Sequence, residues 1–194
     1  MLNNKLKKKA IATGVLLLVI TLTSFGQYHT NTPYSRYGIG NLAQKGFAEN
    51  IAMGGLSVGL RQQNLINYNN PASYTTQNPQ SFIFDVGMKG NYTYSRQNNF
   101  SSPYELGGFN VHHLAIGFPI TPWLKSSIGI VPYSKVGYSV KESISYDPVG
   151  EVTYNYEGKG GINKFYIGNA VELFKRLSLG FNFSYLFGSI NQNS

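Results

Sequence analysis

Residues 177–188 read "LSLGFNFSYLFG", with Leu177, Leu179, Phe181, Phe183, Tyr185 and Phe187 in every second position. Ser178, Gly180, Asn182, Ser184, Leu186 and Gly188 stand between them. A period of two sends successive side chains to opposite faces of a β-strand. One face is crowded with aromatic and aliphatic groups, and the other is small and free of charge. The strand of a soluble sheet meets a core on its apolar side and water on the other. This second face has none of the lysines and glutamates that water favours.

The same period recurs upstream. "SFIFDVGMKGNYTYS" (81–95) sets Phe82, Phe84, Val86, Met88, Tyr92 and Tyr94 against Ser81, Asp85, Lys89, Asn91, Thr93 and Ser95. "HLAIGFPI" (113–120) aligns Leu114, Ile116, Phe118 and Ile120. "LKSSIGIVPYSKVGYSV" (124–140) opposes Ile128, Ile130, Val136 and Tyr138 to Lys125, Ser127 and Lys135. "NKFYIGNAVEL" (163–173) keeps Phe165, Ile167, Val171 and Leu173 in phase. With the opening stretch this makes five strands.

Their connections alternate in length. "TPW" (121–123) and "FKR" (174–176) read as tight turns, whereas 96–109 and about 141–160 read as longer loops rich in Gly, Pro, Ser and Asn. Short turns at one end and long loops at the other are the pattern of an outer-membrane barrel. Trp123 and Phe174 fall at the short-turn end, and Tyr92, Tyr94, Tyr138 and Tyr185 towards the loop end. They are expected to form the two interfacial girdles, where a ring is half in lipid and its polar tip stays wet. A secreted β-sandwich also alternates, but it explains neither the girdles nor the loop asymmetry. The expected fold class is all-β: the N-terminal part of a transmembrane antiparallel β-barrel, an up-and-down meander of about five strands. Barrels begin at eight strands and are even in number. An open edge in lipid costs several kcal/mol per unsatisfied group. The remaining barrel strands are therefore expected to be missing from this chain, or else supplied by further copies.

The chain starts "MLNNKLKKKAIATGVLLLVITLTSFGQ". Lys5, Lys7, Lys8 and Lys9 precede an apolar run, and Ser24 and Gly26 suit cleavage before Gln27. A basic head, a run too short for a spanning helix and small residues at the end describe a secretory signal peptide over 1–26. An uncleaved anchor is the other reading. The chain has no cysteine, which excludes disulfides, thiolate metal sites and lipid attachment at a processed N-terminal Cys. Loss of the four signal lysines takes the net charge from +8 to about +4. With no basic stripe, no nucleic acid is expected as a partner. Charged residues make up only 12% and aromatics 14%, a balance suited to a β-protein facing lipid.

Residues 27–80 are rich in Asn, Gln, Gly, Ser and Tyr without a sustained period. A short helix is expected around Leu42 to Met53, ended by Gly54 and Gly55. "NYNNPAS" (67–73) reads as a turn, since Pro71 biases Asn70 away from helix. Leu56, Val58, Leu60, Leu65 and Ile66 call for burial, which makes this a compact segment and not a linker.

"AMGGLSVGLRQQNLINYNNPAS" (52–73), followed directly by the first strand, resembles the N-terminal hatch of outer-membrane hydrophobic-compound transporters of the FadL and TodX type. The family's Asn-Pro-Ala motif stands at Asn70, Pro71 and Ala72, with Gly54 and Gly55 matching the small-residue run before it. "TPYSRYGIG" (32–40) is similar to the opening of a branch found in Bacteroidetes. The resemblance covers residues 27–194, only the first part of the family's length. It implies a cell outer membrane location, a barrel of roughly fourteen strands plugged by a hatch over 27–80, and passive transport of hydrophobic molecules. Membrane lipid and small molecules such as fatty acids are the implied partners. The family's third strand is kinked and leaves a gap in the wall. Pro132 lies inside the third strand here and removes a ladder donor, and Gly137 adds no side chain to fill the space. Pro132 and Gly137 thus mark a candidate lateral gate, or Pro132 a tolerated bulge. Some relatives hold cargo for a secretion apparatus, so a binding or scaffold role is the alternative.

Enzymatic readings find little support. "GIGNLA" (38–43) imitates a dinucleotide fingerprint without the preceding strand, and "GKGG" (158–161) lacks the Ser or Thr of a phosphate loop. His112 and His113 are neighbours, so a regular strand sends them to opposite faces, which suits no two-His metal site. No catalytic residue, metal or cofactor is expected.

Overall fold

The computed structural model describes residues 32–95, 104–148, 150–174 and 176–193. The signal segment, residues 96–103 of the first expected loop and Lys175 of the second tight turn lie outside them. The strands are β1 (Asn41–Leu42), β2 (Ile83–Ser95), β3 (Tyr104–Pro119), β4 (Leu124–Tyr146), β5 (Gly150–Leu173) and β6 (Leu177–Asn193). The five long ones pair antiparallel in the order β2-β3-β4-β5-β6, with β1 added on β4. This is the antiparallel meander the alternation predicts. The sheet is open, and β2 and β6 are its edges.

Register shows how the alternation is used. Phe84, Ile116, Ile128, Ile167 and Phe183 form one row straight across the sheet. Val86, Leu114, Ile130, Phe165 and Tyr185 form the next on the same side. This face is bare: Phe84 is 72% exposed and Phe183 68%. Between these rows runs Asp85, Ala115, Gly129, Tyr166 and Ser184. That set belongs to the opposite face, and residues 32–82 lie against it. The core is thus between the sheet and its own N-terminal segment, built by Phe47, Ile66, Tyr68, Tyr74, Ala115, Val131, Tyr166 and Ala170. Burying a side chain such as Phe47 contributes about 1.5–3 kcal/mol.

The expected loop over 141–160 is instead strand. Pairing continues from Lys141↔Asn155 to Tyr146↔Gly150, and Ser143 and Thr153 share a 3.0 Å hydroxyl bond across it. The polar and glycine residues that suggested a loop sit on an extended hairpin, so the expected loop asymmetry becomes one of strand length at this hairpin.

The N-terminal segment also departs from expectation. The helix covers only Ala48–Ala52, because Gly46 at φ +104 breaks the chain before it and Leu42 pairs in β1. Gly54 and Gly55 end it with φ of +72 and +88. Leu65 and Ile66 are buried, but Leu56 and Val58 are 56% and 81% exposed. Side-chain amides, not apolar packing, hold that loop. Asn50 Nδ2 donates to the Leu56 carbonyl at 2.9 Å, Asn67 Nδ2 to those of Ser57 and Leu60, and Asn70 Nδ2 to that of Val58 at 2.7 Å. Each bond satisfies a carbonyl that has no ladder partner. The asparagine-rich composition has this use.

Candidate functional site

β3 and β4 are paired only from Leu114↔Ile130 to Pro119↔Lys125. Beyond that seam they part. The register of β4 slips between Pro132 and Ser134, where the proline cannot donate to a ladder. The N-terminal segment takes the vacated side of β4. Asn41 and Leu42 pair with Lys135 and Ser134, the Ala43 amide donates to the Tyr133 carbonyl at 2.9 Å, and the Thr32 amide to that of Gly137 at 3.1 Å. Ser35 Oγ donates to the Gly137 carbonyl and accepts from its N–H, both at 3.1 Å.

A second irregularity faces this split. The register of β2 against β3 changes from Gly87↔His113 to Met88↔Val111, so His112 is the extra residue of a bulge. His112 and His113 are consequently both buried, at 9% and 2% exposure, and their Nδ1 atoms are 3.0 Å apart. The expectation that they point to opposite faces is corrected by this bulge, which a regular period of two does not contain. His113 Nε2 lies 2.9 Å from Asp85 Oδ1. Phe47 stacks on the His113 ring at 3.9 Å, and on the strand opposite only glycine fits, since a Cβ at Gly87 would fall on the ring atoms.

The hydrogen bonds joining Asp85, His113 and His112 allow His112 Nε2 to carry either a lone pair or a hydrogen. A neutral His113 donates through Nε2 to Asp85 and accepts at Nδ1 from a neutral His112, which leaves a lone pair on His112 Nε2. A doubly protonated His113 donates to both neighbours, and His112 Nε2 then carries the hydrogen. Either way His112 Nε2 has no hydrogen-bond partner among the described residues.

Elsewhere the covered face is bonded both to the segment and within itself, with Ser134 Oγ left without a partner among the described residues. Lys125 is 2% exposed and donates to the Gln77 carbonyl at 2.6 Å. Ser127 and Tyr166 share a hydroxyl bond of 3.1 Å, and Tyr166 stacks on Tyr68 at 5.5 Å. The Gly46 amide donates to the Tyr68 hydroxyl at 3.0 Å. Burial pushes the phenols of Tyr68 and Tyr74 above their ordinary 10.0, which keeps both neutral.

The sequence-marked residues fall into two separate places. Asn70 precedes the 3-10 turn Pro71–Thr76, whose backbone at Pro71 and Ala72 lies directly on Gly180 of β6. Pro132 is at the slip in β4 and Gly137 further along it, both beside residues 32–43 and not beside the Asn70–Ala72 turn. Asp85, His112 and His113 were not marked. One signal for them exists: Val111 and Leu114 are both apolar and exposed yet three residues apart, a phase slip within a strand.

A family model described as BamG matches residues 6–194. No curated protein and no solved structure matches the chain. The family match overturns the resemblance to FadL-type transporters. With it go the porin and fatty-acid transport function and the assignment of membrane lipid and fatty acids as partners. Asn-Pro-Ala and a proline within a strand are too short to carry a family assignment. The expected cell outer membrane location stands, now on the family match: the protein belongs to the outer membrane.

Proposed function

This chain belongs to the BamG family, and on that premise we propose that it is an accessory, protein-binding component of the BAM complex, which assembles proteins into the outer membrane. The observation that carries this reading is the filled covered face. Lys125 spends its ammonium group on the segment, Ser127 and Tyr166 their hydroxyls on each other, and His113 its ring nitrogens on Asp85 and His112. A path for a hydrophobic molecule needs an open apolar lining, and here the apolar side chains of the covered face are packed against Phe47, Ile66 and Tyr68 in a closed core. It supports a rigid platform and not a conduit.

In this reading the sheet is part of a barrel wall. The rows through Ile128 and Ile130 face hydrocarbon, and residues 32–82 plug the inner side. The exposed Leu56 and Val58, held out by asparagine bonds, belong to the surface such a platform offers to partner proteins. The role is non-catalytic. Ser127 is bonded to a tyrosine and not to a histidine, so it lacks the base that activates a serine nucleophile.

The test is recovery from native membranes. An affinity tag at Gly150, the tip of the β4–β5 hairpin, is used to purify the protein from outer membranes in mild detergent. Co-recovery of core BAM subunits is expected, and depletion of the protein should lower the levels of other assembled barrels. Recovery without those subunits, with barrel levels unchanged on depletion, would refute the assignment.

A further inference from the structure

We propose that the cleft between the parted ends of β3 and β4 binds a carboxylate, and, resting on the reading above, that a protein partner presents it. The cleft has a volume of about 210 Å³ and is lined by residues 41–44 together with Lys89, Asn91, Asn110, His112, Pro132 and Lys135. That is below the roughly 300–1,000 Å³ of pockets that enclose drug-sized ligands, and it suits a single small group.

The charges select the sign of the occupant. Lys89 comes from β2 and Lys135 from β4, and among the described residues no Asp or Glu lines the cleft. Two ammonium groups repel a metal ion, and no trio of metal-ligating side chains occurs among the described residues. Gln44 and Asn110 add neutral amides able to donate, while Asn41 Nδ2 gives one of its hydrogens to Thr32 Oγ1. An oxyanion is the species that these donors fit.

His112 supplies the independent observation. It is nine-tenths buried, it lines this cleft, and its Nε2 is without a partner among the described residues. A buried polar atom left unpaired is costly, and such atoms mark places where a ligand or ion completes the structure. The groups facing His112 are His113 on its own strand, Lys89 on β2 and Lys135 on β4, with Asp85 behind His113. A carboxylate selects an arrangement in which His112 Nε2 carries a hydrogen. His112 then donates Nε2–H into the cleft, between the two lysines. Asp85 and His113 act as positioning residues, and His112, Lys89 and Lys135 touch the anion.

The test uses the whole protein, labelled with ¹⁵N-histidine and extracted from outer membranes in detergent. The chain has three histidines, so the ring-nitrogen spectrum is simple to assign. Sodium acetate is titrated at constant ionic strength. A saturable shift of the His112 Nε2 resonance is expected, with affinity falling at least tenfold in Lys89→Gln/Lys135→Gln. Exposed Lys89 alone, as Lys89→Gln, gives a variant that keeps the fold if the double variant does not. A glutamate-containing peptide competing with acetate supports a protein source. No saturable shift, or the same shift in the variants, overturns the site. Inorganic phosphate displacing acetate at a tenfold lower concentration, or zinc chloride shifting Nε2 where acetate does not, overturns the carboxylate assignment. Saturable acetate binding without BAM co-recovery refutes only the complex reading, and co-recovery without acetate binding refutes only the site.

Discussion

Tyr74 donates its hydroxyl hydrogen to Asn182 Oδ1 at 3.1 Å, and Asn182 Nδ2 donates in turn to the Tyr68 carbonyl at 2.6 Å. One side chain of edge strand β6 thus holds the N-terminal segment at two points. The Tyr74 phenol is raised above its ordinary 10.0, first by burial and then by Tyr166 beside it. A group whose value is higher folded than unfolded contributes stability that is complete below its unfolded value and lost as pH climbs through its folded one. The segment should therefore stay seated to about pH 10 and release above it. Tyrosinate absorbance should show a late, cooperative class of phenols that Tyr74→Phe diminishes. At neutral pH that variant should lose about 1 kcal/mol with its hydrogen bond. An alkaline transition unchanged by Tyr74→Phe would show that Tyr74 does not govern it.

Gly180 gives the Pro71–Ala72 backbone room to lie on β6. Backbone cannot swing aside as a side chain can, so Gly180→Val should lift the turn from the sheet at a cost of about 1–3 kcal/mol. Arg61, tied to Thr75 and Ser178 at 2.9 Å, would lose those partners. Trypsin cleavage after Arg61 should accelerate about tenfold, since local opening sets the rate. Cleavage at the wild-type rate would mean that the turn does not depend on this contact.

Gly87→Ala places a methyl on the His113 ring. The ring must leave Phe47 or Asp85, and a loss of about 1–3 kcal/mol is expected from overpacking. Urea titration of the detergent-extracted protein measures it. A smaller loss than for Gly90→Ala, where a Cβ meets only ordinary contacts, would contradict the packing described for the bulge.

Ile167 stands between Ile128 and Phe183 in the row on the bare face. If that row meets hydrocarbon, Ile167→Lys should cost about 2–4 kcal/mol near the bilayer midplane. Ile167→Val should be close to neutral. The readout is the amount of protein that migrates as folded on unheated gels from outer membranes. Equal yields would place this face away from the bilayer core.

The sheet was legible because rows such as Val86, Leu114, Ile130, Phe165 and Tyr185 keep a strict period of two in every strand. That period fails where an extra residue enters. His112 and Tyr133 each shift the phase, and both bulges flank the parted strands. The glycines at 158, 160 and 161 obscured β5 because a residue without a side chain adds nothing to alternation. Residues 32–82 were the least legible. They fold by Asn side chains bonding single carbonyls, an arrangement with no period, and their seat is made of small residues on strands far along the chain. Tyr74 finds Asn182, and Ser35 finds Gly137, across more than a hundred positions.

The short seam between β3 and β4 gives the sheet a crease. The β2–β3 hairpin is one stiff leaf and β4–β5–β6 another, each paired along nearly its whole length, while among the described residues strand pairing between them is confined to Leu114–Pro119. Bending stiffness in a sheet rises with continuous pairing, so flexure concentrates at this crease, with residues 32–43 bonded along the β4 side of it. Spin labels at Asn91 and Tyr156, one on each leaf, should show a broader distance distribution than a pair at Asn91 and Gly108 on the same leaf. Mechanically the sheet is two plates joined along one short seam.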